Sequence, residues 1–209
     1  MDDTDIWKLT HAERSAAADL VESLTAEELA RPSACAPWTV ADTAGHIVAG
    51  AEQTPGHFLG GMLTIGFRFN ALMDREARRL GARPPAELVE RLRARTTTTN
   101  KPPGATARTM LGEVVVHAED IRVALGRPSP ASAAALVECL DMYKTASFPV
   151  GTKKRIKGLR VVATDVGWSH GDGPEVSGPA RDLLLAMTGR RAGLDALDGD
   201  GLSTLRGRF

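Results

Sequence analysis

The segment GEVVVHAEDIRVALG, residues 112–126, constrains the fold most strongly, because its apolar residues occupy more than one side of a helix. Three consecutive valines separate Glu113 from His117, so a helix at this place must be buried on several faces. Helices of this kind lie inside bundles, where facing helices also build metal sites. The segment therefore predicts a buried bundle helix that carries a carboxylate and an imidazole.

Other segments of the first two-thirds of the chain also predict helices. Apolar residues recur at helical spacing in DIWKLTHAERSAAADLVESL, and prolines begin PPAELVERLRAR. In PWTVADTAGHIVAG, Thr39 is the expected N-cap, and Asp42 completes a capping-box pattern. Pro55 and Gly56 should interrupt this helix further along. TTTTNKPPG predicts a loop, and SPASAAALVECLDMYKTAS predicts one more helix with a serine cap.

The sequence pattern changes near residue 150. The basic segment PVGTKKRIKG predicts a linker, and the valine-rich alternation of LRVVATDVGW predicts a strand. VSGPARDLLLAMTGR predicts an apolar helix that ends at Gly189, and the D-G-D-G turn in LDALDGDGLSTLRGRF predicts a hairpin. We therefore expect a mainly α fold, with a helical bundle at residues 1–152 and a small α/β domain at residues 153–209.

Composition narrows the classes of partner. The chain has 26 basic and 26 acidic residues, and this balance argues against nucleic acid or an anionic membrane as the main partner. The N-terminal segment has no apolar core, and no apolar stretch reaches the ~20 residues that span a bilayer. We expect a cytoplasmic protein. Cys35 and Cys139 form no CxxC pair and are predicted to be small buried apolar residues, although a disulfide between them stays open.

Glu113 and His117 can share one metal ion. Residues four apart lie one above the other on a helix, with Cβ atoms ~5–6 Å apart. Zinc accepts imidazole nitrogen and carboxylate oxygen, and a catalytic zinc often has three protein ligands and an open position. His46, on the apolar face of an earlier helix, is the best third candidate. An ordinary helical salt bridge explains the Glu113–His117 pair about as well as a metal does.

Other polar residues near the candidate ligands have simpler explanations. Asp42 repeats the carboxylate–histidine spacing with His46, but it is better explained as a helix cap. His57 lies ~16 Å along a straight helix from His46, so both cannot bind one ion, and it is expected at the surface. Asp120 can accept a hydrogen bond from His117, or it can be solvated together with Arg122.

Three motifs resemble segments of one protein family, and they occur in the same order as in that family. APWTVADTAGHIVAG is similar to the W-[ST]-V-x-D-x-x-x-H segment of DinB-like metal-binding bundles. GEVVVHAEDIRVALG resembles the E-x-x-x-H-x-x-D segment of the mycothiol-dependent maleylpyruvate isomerase family. VSGPARDLLLAMTGR, followed by LDGDG, is similar to the sterol-carrier-protein-like C-terminal domain of that family. The resemblance implies an up-and-down four-helix bundle (DinB-like) followed by a small α/β domain.

The resemblance also implies a set of site residues. The family holds a divalent metal, usually zinc, through a histidine of the second helix and the glutamate and histidine of E-x-x-x-H. These positions correspond here to His46, Glu113 and His117. The family also uses a C-terminal arginine near the bound thiol. That position corresponds to Arg190, the arginine after the last helix, although Arg191 adjoins it.

The implied function is metal-dependent activation of the thiol co-substrate mycothiol. Its thiolate would add to a small electrophile, and either isomerisation or S-transfer would follow, so the expected partners are a small thiol and an electrophilic substrate. A homodimer stays open. The alternative is a non-catalytic metal-binding bundle with a regulatory or ligand-binding role. A water-accessible position on the metal, beside a pocket, would favour the enzyme.

Overall fold

A computed structural model describes all residues, 1–209, and divides into two compact units. The first unit is Met1–Pro128, and the second is Ser129–Phe209. The two units divide after Pro128, whereas the sequence predicted a boundary at residue 152. The helix Ala133–Tyr143 joins the second unit because it packs against a later helix of that unit. The mainly helical fold, a bundle with a small α/β unit, confirms the predicted fold class.

Seven helices form the first unit. They are α1 (Asp3–Glu22), α2 (Ala26–Ala30), α3 (Val40–Glu52), α4 (Pro55–Thr64), α5 (Phe69–Gly81), α6 (Pro85–Ala94) and α7 (Ala107–Ala124). Helix α7 packs against both α1 and α3, while α6 packs against α1 and α5 packs against α3. Helix α7 is buried along most of its length, as its three valines predicted. It therefore presents its polar side chains to the inside of the bundle.

Helix α5 was not predicted, and its close approach to α3 depends on two glycines. A Cβ atom at Gly81 would lie 2.8 Å from the carbonyl oxygen of Ala41, and one at Gly45 would meet the backbone of Gly81. The two helices can cross closely only because neither position carries a side chain. Since Gly45 precedes His46, this crossing also fixes where the imidazole lies.

The expected start and interruption of α3 are both observed. Thr39 accepts a hydrogen bond from the Asp42 amide, and the Asp42 carboxylate accepts one from the Thr39 amide at 3.0 Å. Helix α3 ends at Glu52, and α4 begins at Pro55. The carboxylate of Asp42 is therefore a helix cap.

The second unit combines a three-stranded sheet with short helices. Its elements are α8 (Ala133–Tyr143), α9 (Thr152–Arg155), β1 (Arg160–Ala163), β2 (Trp168–His170), β3 (Glu175–Gly178), α10 (Ala180–Met187), a 3-10 helix (Arg191–Ala196) and α11 (Leu202–Arg206). The strand order is β2-β1-β3, with β1 antiparallel to β2 and parallel to β3. The apolar helix α10 packs against α8, β1 and the 3-10 helix, and this packing forms the core.

The predicted hairpin at the C-terminus is wrong. Main-chain hydrogen bonds join Asp198 to Ser177 of β3 in both directions, at 2.8 and 2.9 Å, and the amide of Gly201 donates to Glu175. The D-G-D-G segment therefore bonds to β3 rather than to itself. The basic segment before β1 contains the short helix α9 rather than only a linker. No helix in the protein combines the length and apolar character needed to cross a bilayer.

Candidate metal centre

Three side chains from two helices converge inside the bundle. Nε2 of His46, on α3, lies 3.2 Å from Oε2 of Glu113, on α7. Nε2 of His117 lies 3.8 Å from the same Glu113 oxygen. The rings of His46 and His117 meet edge to face, with centroids 4.5 Å apart. The structure thus brings together the three residues that the sequence nominated as metal ligands.

The separations of these atoms fit a shared divalent cation. Tetrahedral zinc binds nitrogen and oxygen ligands at ~2.0–2.1 Å, which places neighbouring ligand atoms about 3.3 Å apart. The two separations, 3.2 and 3.8 Å, bracket that value, and all three ligand atoms lie within 4.8 Å of one another. The imidazoles are buried, whereas the Glu113 side chain is 39% exposed. The set therefore has a protein-facing side and a side open to solvent.

Asp120 fixes the orientation of His117. Its carboxylate lies 2.9 Å from Nδ1 of the imidazole and is fully buried. Nδ1 bonded to Asp120 leaves Nε2 directed toward Glu113, which is the usual arrangement behind a metal-bound histidine. Asp120 is therefore the hydrogen-bond acceptor that its spacing suggested, and it is not solvated.

The same neighbours change the pKa of His117. Burial lowers this pKa, but hydrogen bonds and negative charge from Asp120 and Cys35 outweigh burial and raise the pKa to about 10. Without a cation, the ring therefore keeps protons on both nitrogens at neutral pH. A metal that binds at Nε2 must displace one of these protons.

Trp38 packs over both imidazoles. Its ring centroid lies 4.8 Å from that of His46 and 5.8 Å from that of His117. The indole N–H donates a 2.9 Å hydrogen bond to Asp74 of α5, and Nε of Arg78 donates to the same oxygen at 3.0 Å. Trp38 therefore shields one side of the centre from water and connects it to the helix that the sequence had not indicated.

Cys35 is not the small buried residue that we predicted, because its side chain is only partly buried. It forms a hydrogen bond with His117, and its sulfur groups with His117 and Asp120 within 4.8 Å. It does not belong to the group formed by His46, Glu113 and His117. Cys139 is buried, as expected, and both cysteines are free.

A small cleft of about 20 Å³ adjoins the converging ligands. His46 and Glu113 line it, together with Arg14 of α1 and residues Ile47, Gly50, Ala51, Met110 and Val114. Sequence reasoning missed Arg14, although its position between Thr10 and Ala17 on the buried face of α1 was a signal. His57 is exposed on α4, as expected.

Arg190 lies in the second unit, directly after the turn that ends α10. Its side chain is buried, and Nη1 donates a 2.9 Å hydrogen bond to the carbonyl oxygen of Thr188. Its neighbour Arg191 lies over the ring of Phe209 instead, with 5.5 Å from Cζ to the ring centroid. The assignment of Arg190 to thiol binding stays a prediction.

Comparisons with known proteins give the same family as the motifs. Residues 10–101 match the family model of the mycothiol maleylpyruvate isomerase N-terminal domain, a range that includes His46 but ends before Glu113. No curated protein is significantly similar in sequence.

Two solved structures are similar along almost the whole chain. They are the crystal structures of mycothiol-dependent maleylpyruvate isomerase and of a histidine-to-alanine mutant of it, with TM-scores of 0.61 and 0.64. Each is 15% identical, and each comparison covers 96% of this chain and 93% of the other. At this identity the likeness shows the fold, and the domain match adds the sequence relationship. The chain thus matches the N-terminal domain of mycothiol maleylpyruvate isomerases over residues 10–101 and is similar in fold to mycothiol-dependent maleylpyruvate isomerase along most of its length.

Proposed function

We propose that this protein is a metal- and mycothiol-dependent enzyme of the maleylpyruvate isomerase type. It activates a low-molecular-weight thiol as thiolate for addition to a small electrophile. The convergence of His46, Glu113 and His117 beside an open cleft carries the proposal. A carboxylate with 39% exposure at the cleft leaves one side of the centre accessible to a ligand.

Each residue around the centre has a distinct task. His46, Glu113 and His117 would hold the cation, proposed to be zinc, and Asp120 keeps the His117 ring in the required orientation. When bound, a divalent cation supplies the positive charge that lowers the pKa of a thiol entering the open position. Trp38 covers the two imidazoles and limits the access of water to them.

Arg190 is the proposed residue for binding the thiol co-substrate. Its guanidinium carries a fixed positive charge, and a guanidinium can hold a carboxylate through two parallel hydrogen bonds. The position after α10 corresponds to the arginine that the family resemblance implies. In this role Arg190 would position the thiol without direct contact with the metal.

The chemistry begins when the thiolate sulfur bonds to an electrophilic carbon. For an isomerase, this bond replaces the π bond of the activated alkene, whose electrons move onto the conjugated carbonyl as an enolate; rotation about the resulting single bond, return of the electrons and expulsion of the thiolate give the trans product. For an S-transferase, the sulfur displaces a leaving group such as chloride, and the thioether leaves as the product. The first step is the same in both cases, so the geometry supports the shared reaction class.

A thiol-consumption assay tests the proposal. Metal-loaded protein mixed with mycothiol and monochlorobimane should consume thiol faster than metal-free protein, and His117→Ala should behave like the metal-free control. His57→Ala is the matched control, since this histidine is exposed on α4 and belongs to neither group of candidate ligands. A panel of electrophiles then separates isomerisation from S-transfer. Absence of acceleration across the panel would favour the non-catalytic metal-binding alternative.

A further inference from the structure

A second group of possible metal ligands lies on the side of His117 that carries Asp120. It contains the thiol of Cys35, an imidazole nitrogen of His117 and a carboxylate oxygen of Asp120, and these three atoms lie within 4.8 Å of one another. Neither Cys35 nor Asp120 belongs to the group formed by His46, Glu113 and His117. The proposed thiol chemistry gives Cys35 no task.

The two ring nitrogens of His117 allow this residue to serve both groups. Nε2 lies 3.8 Å from the Glu113 carboxylate, whereas Nδ1 lies 2.9 Å from the Asp120 carboxylate. The two nitrogens are distinct positions on the imidazole, so a cation at Nδ1 does not occupy the place of a cation at Nε2. The group at Cys35 is therefore a separate set of ligands and does not add a fourth ligand to the first set.

The separation of Nδ1 and the Asp120 oxygen is compatible with a shared cation. Zinc binds nitrogen and oxygen at ~2.0–2.1 Å, which places two ligand atoms about 2.9 Å apart at a right angle and about 3.3 Å apart in a tetrahedron. The separation of 2.9 Å between Nδ1 and the Asp120 oxygen lies at the lower end of this range. A small widening of this distance would therefore admit a tetrahedral ion.

Main-chain hydrogen bonds hold the loop of Cys35 against α7. The amide of Ala34 donates a 3.1 Å hydrogen bond to the main-chain carbonyl of Asp120. The amide of Cys35 donates to Oγ of Ser33 at 3.1 Å, and its carbonyl accepts from the amide of Trp38 at 3.0 Å. The thiol is therefore held beside the two other ligands before any ion arrives, which lowers the entropic cost of binding.

The ligand types and their burial favour a thiophilic ion. A thiolate, an imidazole and a carboxylate suit soft or borderline ions such as zinc and cadmium, whereas magnesium and calcium prefer oxygen ligands. The Asp120 side chain is fully buried and that of His117 is 10% exposed, while Cys35 is only partly buried. An ion can therefore enter from the side of the thiol and meet two ligands that the bundle holds in place.

We propose that Cys35, His117 and Asp120 form a second metal site, which binds thiophilic divalent cations and is separate from the centre beside the cleft. The incoming cation displaces the protons of the thiol and of Nδ1 into solvent. Two cations on one imidazole repel each other, so occupancy of either site weakens the other. The second site therefore fills when a thiophilic ion is added in excess. It does not depend on the proposed thiol chemistry.

Cadmium titration of the zinc-loaded protein tests this site, because a cadmium–thiolate bond gives an ultraviolet charge-transfer band that nitrogen and oxygen ligands do not give. Wild type should develop the band, and excess magnesium should not remove it. Cys35→Ser should lose the band and, by equilibrium dialysis, bind one cadmium ion fewer per chain than wild type. Cys139→Ser changes the other cysteine and is the matched control, which should keep both the band and the ion.

Two further variants identify the carboxylate ligand and separate this site from the first. Asp120→Asn should weaken the thiolate-bound cadmium by about 10-fold or more, because loss of even an outer hydrogen-bond partner of a metal ligand costs that much. Glu113→Gln should keep the band or strengthen it, because Glu113 belongs only to the first group and its loss lessens the competition for His117. Thermal unfolding shows whether each variant is folded.

Absence of the thiolate band in wild type, or its persistence in Cys35→Ser, would overturn the second site. Equal cadmium affinity in wild type and folded Asp120→Asn would overturn it as well, since a single cysteine would then account for the binding. Loss of the band in folded Glu113→Gln would mean that Cys35 joins the first centre and would contradict a separate site. Cadmium binding at Cys35 without any thiol consumption would refute the proposed function and keep the second site.

Discussion

The two units bury polar residues in very different ways. The interior of Met1–Pro128 contains ionisable side chains that face each other, among them His46, His117 and Asp120. In Ser129–Phe209, the buried side chains are apolar with three exceptions, which are Thr152, Thr188 and Arg190. Buried ionisable groups destabilise a fold unless they are paired or bind a ligand. The comparison shows that the candidate metal ligands and most of the buried ionisable residues lie in the bundle, while apolar packing dominates the second unit.

Leu184→Ala should give the largest loss of stability, because it truncates a side chain in the apolar core of the second unit. Leu184 lies on α10 and is fully buried. Truncation of a buried leucine costs about 2–5 kcal/mol through lost transfer energy and a cavity. Urea denaturation measures the change. Leu63→Ala, at a position that is 68% exposed, is the control and should change little. A negligible effect at Leu184 would mean that α10 does not support this unit.

Asp120→Asn should weaken metal binding while largely preserving the fold. The change removes the charged acceptor that orients the His117 ring at 2.9 Å. Loss of such a partner typically lowers metal affinity by roughly 10–100-fold. Competition with a chromogenic chelator gives the affinity. Asp165 accepts a hydrogen bond from the amide of Ala180 in the second unit, so Asp165→Asn is the control and should leave the metal affinity unchanged. Equal affinities for wild type and Asp120→Asn would contradict the role of Asp120.

Gly45→Ala should destabilise the bundle by about 1–3 kcal/mol, because the added methyl group overpacks the crossing of α3 and α5. The new Cβ would meet the backbone of Ala77 and Gly81. Gly50→Ala on the same helix is the control, since a Cβ there meets nothing within 4 Å. Thermal unfolding compares the two. If Gly45→Ala were as stable as Gly50→Ala, the crossing would be looser than described.

Trp38→Phe should have the smallest effect, a loss of about 1 kcal/mol for one partly buried hydrogen bond. Trp168→Phe in the second unit is its counterpart, because each indole N–H donates to an aspartate at 2.9 Å. The two variants should lose similar free energy of unfolding. Only Trp38→Phe should also change metal affinity, since only Trp38 packs on the ligand imidazoles. An equal change in both variants would remove the distinction between the units.

The bundle was more predictable from sequence than the second unit. The three valines of α7 and the capping box of α3 are strong local signals, and both helices form as expected. Helix α5 was missed because its buried stripe is narrow and arginine-rich segments lie between its apolar residues. Strand β3 was missed because it contains only one large apolar residue, Val176.

The sequence pattern identified the candidate metal ligands, but it did not identify the residues that surround them. Glu113 and His117 are four positions apart, whereas His46 precedes Glu113 by 67 residues and was chosen for its place on an apolar helix face. The family resemblance implied the same three residues. The hydrogen bond between Trp38 and Asp74 depends on α5, so no local pattern could have revealed it. Arg14 could not be identified from the sequence either. That its Nη2 has no hydrogen-bond partner is evident only when the position of the segment at Thr98 is known.

Metal content is the most direct test of a cation held by His46, Glu113 and His117. Protein purified without chelator should contain about one divalent ion per chain, as expected for a site with three protein ligands. His46→Ala and His117→Ala should each remain folded and lose that ion, whereas His57→Ala should keep it. Full metal content in folded His117→Ala would contradict the assignment of the centre.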